Sequence, residues 1–157
     1  RHIISDKDIK FGKIKYDDKI LHKSKVLRHF TFEKKSIKKT QKDFDSIYKK
    51  IKRNKNYFFS AKDLALVEAL DYDGIIIPKE LNFKKISTKY NIPESLLKLA
   101  ENNEKGFLAL KIVEIIGEDE VTNLDPETIY FITHLLNKSQ LIEFRNEILS
   151  SALPLRT

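Results

Sequence analysis

Four histidines, His2, His22, His29 and His134, are the side chains of this sequence best suited to proton transfer or metal binding. Metal sites usually draw two ligands from one element a few residues apart, and these four show no such spacing. His134 lies in the apolar stretch 129–136, where an imidazole satisfied by a polar neighbour in the core is the expectation. Asp71-Tyr72-Asp73-Gly74 sets two carboxylates before a glycine, as calcium loops begin. The glycine comes too early, however, and position 82 is Asn, not a bidentate Glu. A plain turn is expected there, and a solvated acidic loop at 117–120. Without cysteine there are no thiolate ligands, disulfides or thiol nucleophiles. The four glycines are scattered singly, so no phosphate-binding loop is present. Carboxylates abound, but nothing singles out a pair for acid–base work. No catalytic, cofactor-binding or metal-ligating residue is predicted.

The stronger chemical signal is cationic. Residues 1–57 hold 19 Lys/Arg against 7 Asp/Glu, whereas residues 58–157 hold 11 against 16, which together give the net +7. Polyanion binding is therefore expected near the N-terminus, with Lys34, Lys35, Lys38, Lys39, Lys49, Lys50, Lys52 and Arg53 as candidates. Phe11, Tyr16, Phe30, Phe32, Phe44, Tyr48, Tyr57 and Phe58 interleave with the cations. Such a mixture suits RNA or single strands, where bases stack on rings and lysine meets phosphate. It equally suits an acidic protein surface or anionic lipid. Of the 30 basic residues 25 are Lys, which weakens a reading based on bidentate phosphate contacts, the province of Arg. A solvated Lys-rich segment with its rings packed on its own domain would look the same.

Residues 86–99 resemble a helix-turn-helix, with small Ser87, turn residue Asn91, then Ile92 and Leu96 or Leu97. The second helix would carry Glu94, Glu101 and Glu104 against Lys98, the wrong balance for a groove lined with phosphates. A structural corner is the better expectation.

The elements that must position these residues are mostly helical. Residues 1–39 lack a helical stripe, and Ile9, Phe11, Ile14, Tyr16 and Ile20 suggest short extended pieces around a turn at 16–20. From Thr40, the apolar residues Phe44, Ile47, Tyr48 and Ile51 recur at i, i+3, i+4, i+7, predicting a basic amphipathic helix to about Asn54. Ser60 and Asp63 form a capping signal for the next helix, which runs to Asp71. A buried extended link, 75–77, leads to a turn at Pro78–Leu81 and helix around Phe83, Ile86 and Tyr90. Pro93-Glu94 opens another helix. Residues 107–116 are apolar around most of a helical circumference, predicting a central, buried helix that stops at Gly117. Asp125-Pro126-Glu127 is a strong helix start, and Ser139 is read as the N-cap of the last helix.

Sliding the chain by 33 residues matches Pro93 with Pro126, Glu94 with Glu127, Leu96 with Ile129, Leu108 with Leu141, Glu114 with Glu147 and Ile115 with Ile148. That period suits stacked helical hairpins, which share a core that one hairpin cannot bury alone. The expectation is thus an all-α fold. Two 33-residue hairpin repeats follow an additional helical pair, with a basic, partly extended arm at 1–39 and a helical-hairpin domain at 40–157. The expected role is a non-enzymatic protein–protein interaction or scaffold module, the C-terminal part of a larger or processed protein. Its stack would offer a rigid surface that the arm fastens to an acidic partner, with self-association open and nucleic-acid binding the alternative.

Overall fold

A computed structural model describes residues 14–31, 36–117 and 121–156. The fold is all-α. Seven α-helices lie within these residues: α1 (Ile37–Arg53), α2 (Ala61–Tyr72), α3 (Phe83–Ser87), α4 (Glu94–Glu101), α5 (Lys105–Ile116), α6 (Pro126–Lys138) and α7 (Ile142–Ala152). Two-residue strands β1 (Ile14–Lys15) and β2 (Leu155–Arg156) pair antiparallel, Ile14 opposite Arg156. No helix of the described residues is long and apolar enough to cross a membrane.

The helix at the centre is α2. It begins at a full capping box: Ser60 Oγ accepts from the Asp63 amide, and the Asp63 carboxylate accepts from the Ser60 amide. Ala61, Leu64, Ala65, Leu66, Val67, Ala69 and Leu70 are all at most 5% exposed, so it is buried around nearly its whole circumference. It packs along α6, against Ile129 and Tyr130. α1 lays Phe44, Ile47 and Ile51 on the same core, which Leu149, Ala152 and Leu153 complete. A second cluster joins Leu96, Leu108 and Ile112 to Ile132, Leu135, Leu136 and Ile148.

Four expectations need correction. Residues 21–30 are not extended: Leu21–Lys23 and Lys25–Phe30 are 3-10 helical turns. Their Leu21, Val26, Leu27 and Phe30 are at most 3% exposed within the first core cluster. A 3-10 turn repeats every three residues, so Leu27 and Phe30 share one side of the second turn. The link at 75–77 is extended but not wholly buried. Ile75 is in the core, whereas Ile76 is 77% exposed and exchanges backbone hydrogen bonds with the Gln41 side-chain amide. Ser139 caps the end of α6; the N-cap of α7 is Leu141. The central position predicted for 107–116 belongs to α2. α5 lies at an edge, with only Leu108 and Ile112 fully buried.

The paired helices α4–α5 and α6–α7 are joined by the same turn. Asn103 and Gln140 both have φ 61°. Glu104 N–H donates to Leu99 O and Asn103 N–H to Ala100 O; Leu141 N–H donates to Leu136 O and Gln140 N–H to Asn137 O. Both are Schellman closures, and a third, around Gly74, ends α2. The two turns are 37 residues apart, not 33. The matches at 33 therefore align the openings of α4 and α6 approximately, but past the turns they pair residues at different positions of α5 and α7. The equivalent of Leu108 is Arg145: each donates its amide to its helix's N-cap carbonyl.

Candidate functional site

Three of the four histidines lie within the described residues, and each meets a carboxylate of α2 or its C-cap. His22 Nδ1 is 2.6 Å from Asp63 Oδ1, His29 Nε2 is 2.7 Å from Asp73 Oδ2, and His134 Nδ1 is 2.5 Å from Glu68 Oε1. A carboxylate only accepts, so the facing imidazole nitrogen carries the hydrogen. Thus α2 is bolted to both 3-10 turns and to α6 by polar contacts placed five residues apart along it. His2 lies outside the described residues.

The carboxylates are well supplied with donors. Asp63, fully buried, accepts four hydrogen bonds: from the His22 ring and amide, the Ser60 amide and the Tyr57 hydroxyl. Burial, the Asp63 charge and its hydrogen bond raise the Tyr57 pKa well above the phenol range. Tyr57 also accepts from Leu21 N–H, fixing the first 3-10 turn. Tyr130, raised by burial and by Glu68, donates to Glu68. Ser60 Oγ approaches the same His22 nitrogen that faces Asp63, at 3.4 Å, so no relay passes through that ring. Thr40, His29 and Asp73 have relay order, Thr40 Oγ1 lying 3.4 Å from His29 Nδ1, but Thr40 is 1% exposed.

Asp73, in the motif read as a turn, is the centre of the densest network. Arg145 is fully buried and uses all five donors. It forms a bidentate pair with Asp73 at 2.9 and 2.6 Å, and bonds Asn137 Oδ1 at 3.0 Å and Asn146 Oδ1 at 3.1 and 2.7 Å. Its guanidinium also lies 5.4 Å from the Phe30 ring centroid. Burial alone would raise the Asp73 pKa; the hydrogen bonds and charges of His29 and Arg145 outweigh it and hold the carboxyl below its ordinary value. One cost is visible: Asn137 turns its oxygen to the arginine, and its Nδ2 is left without a partner. The sequence shows Asp63 as a cap and Asp73 in a turn but hides all three histidine pairings, because the partners lie 41, 44 and 66 residues apart.

An open cleft of about 330 Å³ lies elsewhere, between Asp71, Asn82, Phe83 and the 77–79 link, and none of the histidine pairs lines it.

The predicted cations divide by position. Lys34 and Lys35 lie outside the described residues. Lys38, Lys39, Lys49, Lys50, Lys52 and Arg53 all lie exposed on α1, and Lys42, omitted from the prediction, joins them. With Thr40, Phe44, Ile47 and Ile51 turned inward, 3.6-residue periodicity puts these seven on the outer side of one helix. Lys52 is engaged, its Nζ 3.0 Å from both Glu80 oxygens; this contact lowers the Glu80 pKa. The other six form no ion pair with a described residue. Compared with known proteins, the chain matches no family model, no curated protein and no solved structure.

Two further exposed features complete the surface. Phe107, Leu110 and Val113 on α5 are 63, 63 and 55% exposed. In α4 the outward charges are partly paired, Lys98 with Glu94 and Glu101 with Lys138. The helix-turn-helix-like segment thus becomes the five-residue α3, a turn, and an α4 that presents carboxylates.

Proposed function

We propose that this chain is a non-enzymatic protein–protein interaction module that receives an apolar helix of a partner on the outer face of α5. The observation carrying this reading is the strip Phe107, Leu110, Val113, more than half exposed although equally apolar residues fill both cores. These positions follow at i, i+3, i+6, so neighbours touch and form an inclined row across the outer face of the helix. Contiguous exposed apolar side chains usually mark a contact surface, and an inclined row of this kind can receive the apolar stripe of another helix. The only charges beside it on α5, Lys111 and Glu114, pair with each other at 3.3 Å and so oppose docking little. The histidine–carboxylate pairs each tie α2 to a neighbouring element, and none lines the cleft, which favours a structural role for the groups otherwise suited to catalysis.

The test places a photo-crosslinking amino acid at Leu110 and, as control, at exposed Glu143 on α7. An adduct specific to position 110 would be identified by mass spectrometry and the partner titrated, as pure protein, against this chain. Leu110→Asp with Phe107→Ser should weaken that binding at least tenfold, the scale of losing an interface anchor. A position-110 adduct no stronger than the control, or a partner that binds the double variant normally, would sink the reading. Adducts between copies of the chain would redirect it to self-association.

A further inference from the structure

We propose that the outer face of α1, together with Phe58, binds single-stranded nucleic acid without sequence preference. The inference uses none of the α5 residues and stands apart from the reading above. Its first support is the cation array. Lys38, Lys42, Lys49 and Arg53 fall at i, i+4, i+11 and i+15, one line along a helix of 17 residues, about 25 Å long. Lys39 and Lys50 flank the line. Asp43 and Asp45 interrupt it, and Asp45 already accepts from the Gln41 amide. A line of that length meets several successive phosphates.

The second support is Phe58, 80% exposed, the most exposed large apolar side chain described. It stands five residues beyond Arg53, in the link between α1 and α2. Tyr57 is held inward by its bonds to Asp63 and to Leu21, and Phe59 packs on the core. Phe58 is thus the exposed residue between two anchored neighbours. An exposed ring a few residues past a cationic helix offers unpaired bases a stacking platform. Duplex bases are stacked already and have no use for it. An acidic protein would reward the cations but not the ring. A membrane surface would require the apolar side of α1, and that side is in the core, Phe44 and Ile51 being 0 and 6% exposed. Since only Arg53 among the seven cations can form a planar fork, the contacts are point charges on phosphate. That is the reason to expect indifference to sequence.

The experiment measures fluorescence anisotropy of labelled mixed-sequence RNA and DNA of about 20 nucleotides, single-stranded and duplex, with the full chain. Salt is varied between about 50 and 200 mM. Either single strand should bind more tightly than its duplex, and comparing RNA with DNA identifies the preferred source. Phe58→Ala should weaken single-strand binding roughly 5- to 100-fold while leaving duplex binding unchanged. Replacing Lys38, Lys42, Lys49 and Arg53 by Gln should lower the log–log salt slope by about 3. Leu110→Ser should change nothing. All substituted side chains are exposed, and circular-dichroism melting confirms that each variant folds. The proposal is overturned by no binding at the lowest salt, by equal binding of duplex, by indifference to Phe58→Ala, or by polyglutamate competing as well as RNA.

Discussion

The helix pairs α4–α5 and α6–α7 leave their first helices by the same Schellman closure, with the same φ of 61° at the residue that reverses the chain. After the turn they differ. α7 enters the core and buries Arg145, Ile148, Leu149 and Ala152. α5, by composition the more apolar, buries only Leu108 and Ile112. Apolar content therefore does not decide which helix is central. What decides is how many neighbours a helix has: α7 meets α6 and the second 3-10 turn, whereas α5 is packed chiefly against α4. The more polar helix could enter because its one buried charge arrives with every donor matched.

That comparison is broken most severely at Arg145. Arg145→Ala leaves the Asp73 carboxylate without its bidentate partner, in a site where losing one member of a buried pair costs roughly 3–5 kcal/mol. Urea unfolding should register it as a lower midpoint. Asp73→Asn combined with Arg145→Leu should cost clearly less than the two single changes added together. An additive result would mean that the network does not act as a unit.

The inner and outer faces of α5 should differ nearly as much. Leu108 is fully buried and Leu110 is 63% exposed. Leu108→Ala should cost about 2–5 kcal/mol, and Leu110→Ala, at a surface position, less than about 0.5 kcal/mol. Equal losses in thermal unfolding would show that α5 is covered on both sides in solution, as a self-associating chain would have it.

Acid should act on the α7 side of the comparison. The Asp73 carboxyl titrates below its unfolded value, so the unfolded chain binds more protons as pH falls through the carboxylate range. Stability from this group is present above the unfolded pKa and is lost as pH drops through the folded one. Unfolding midpoints followed downward from neutral pH should fall, and Asp73→Asn should flatten the fall. An unchanged slope in the variant would assign acid sensitivity to other carboxylates.

How much could be read in advance follows the range of each interaction. The Ser60–Asp63 box, the Asp125-Pro126 opening and the turn at Gly74 were legible because their partners lie within a few residues. The exposure of α5 was not, since periodicity reports how apolar a helix is and not what lies beside it. Residues 21–30 were misread because a 3-10 repeat in a Lys-rich stretch mimics scattered alternation. Among the cations, the types and the helix were legible, because both follow from residue identity and local periodicity. Phe58 was one of three adjacent rings with Tyr57 and Phe59. Which of them faces solvent depends on Asp63 holding Tyr57, a contact that only the folded chain provides.

The smallest effect tests the shared turn itself. Gln140 and Asn103 occupy a left-handed position that costs a β-carbon-bearing residue about 1–2 kcal/mol, less for Asn, which tolerates it. Gln140 is exposed and its side chain makes no described hydrogen bond, so replacement by Gly removes strain without removing a contact. Against this stands the greater freedom that Gly gives the unfolded chain, a loss of about 0.4–1 kcal/mol. Gln140→Gly should therefore be net stabilising by about 0.5–1 kcal/mol, raising the melting temperature by about 1–4 °C for a chain of this size. Asn103→Gly should give less, because Asn had less strain to release. If both substitutions lower the melting temperature, the turn is held by the packing of the helices it joins rather than by its own closure, and the likeness between the two pairs is a consequence of packing.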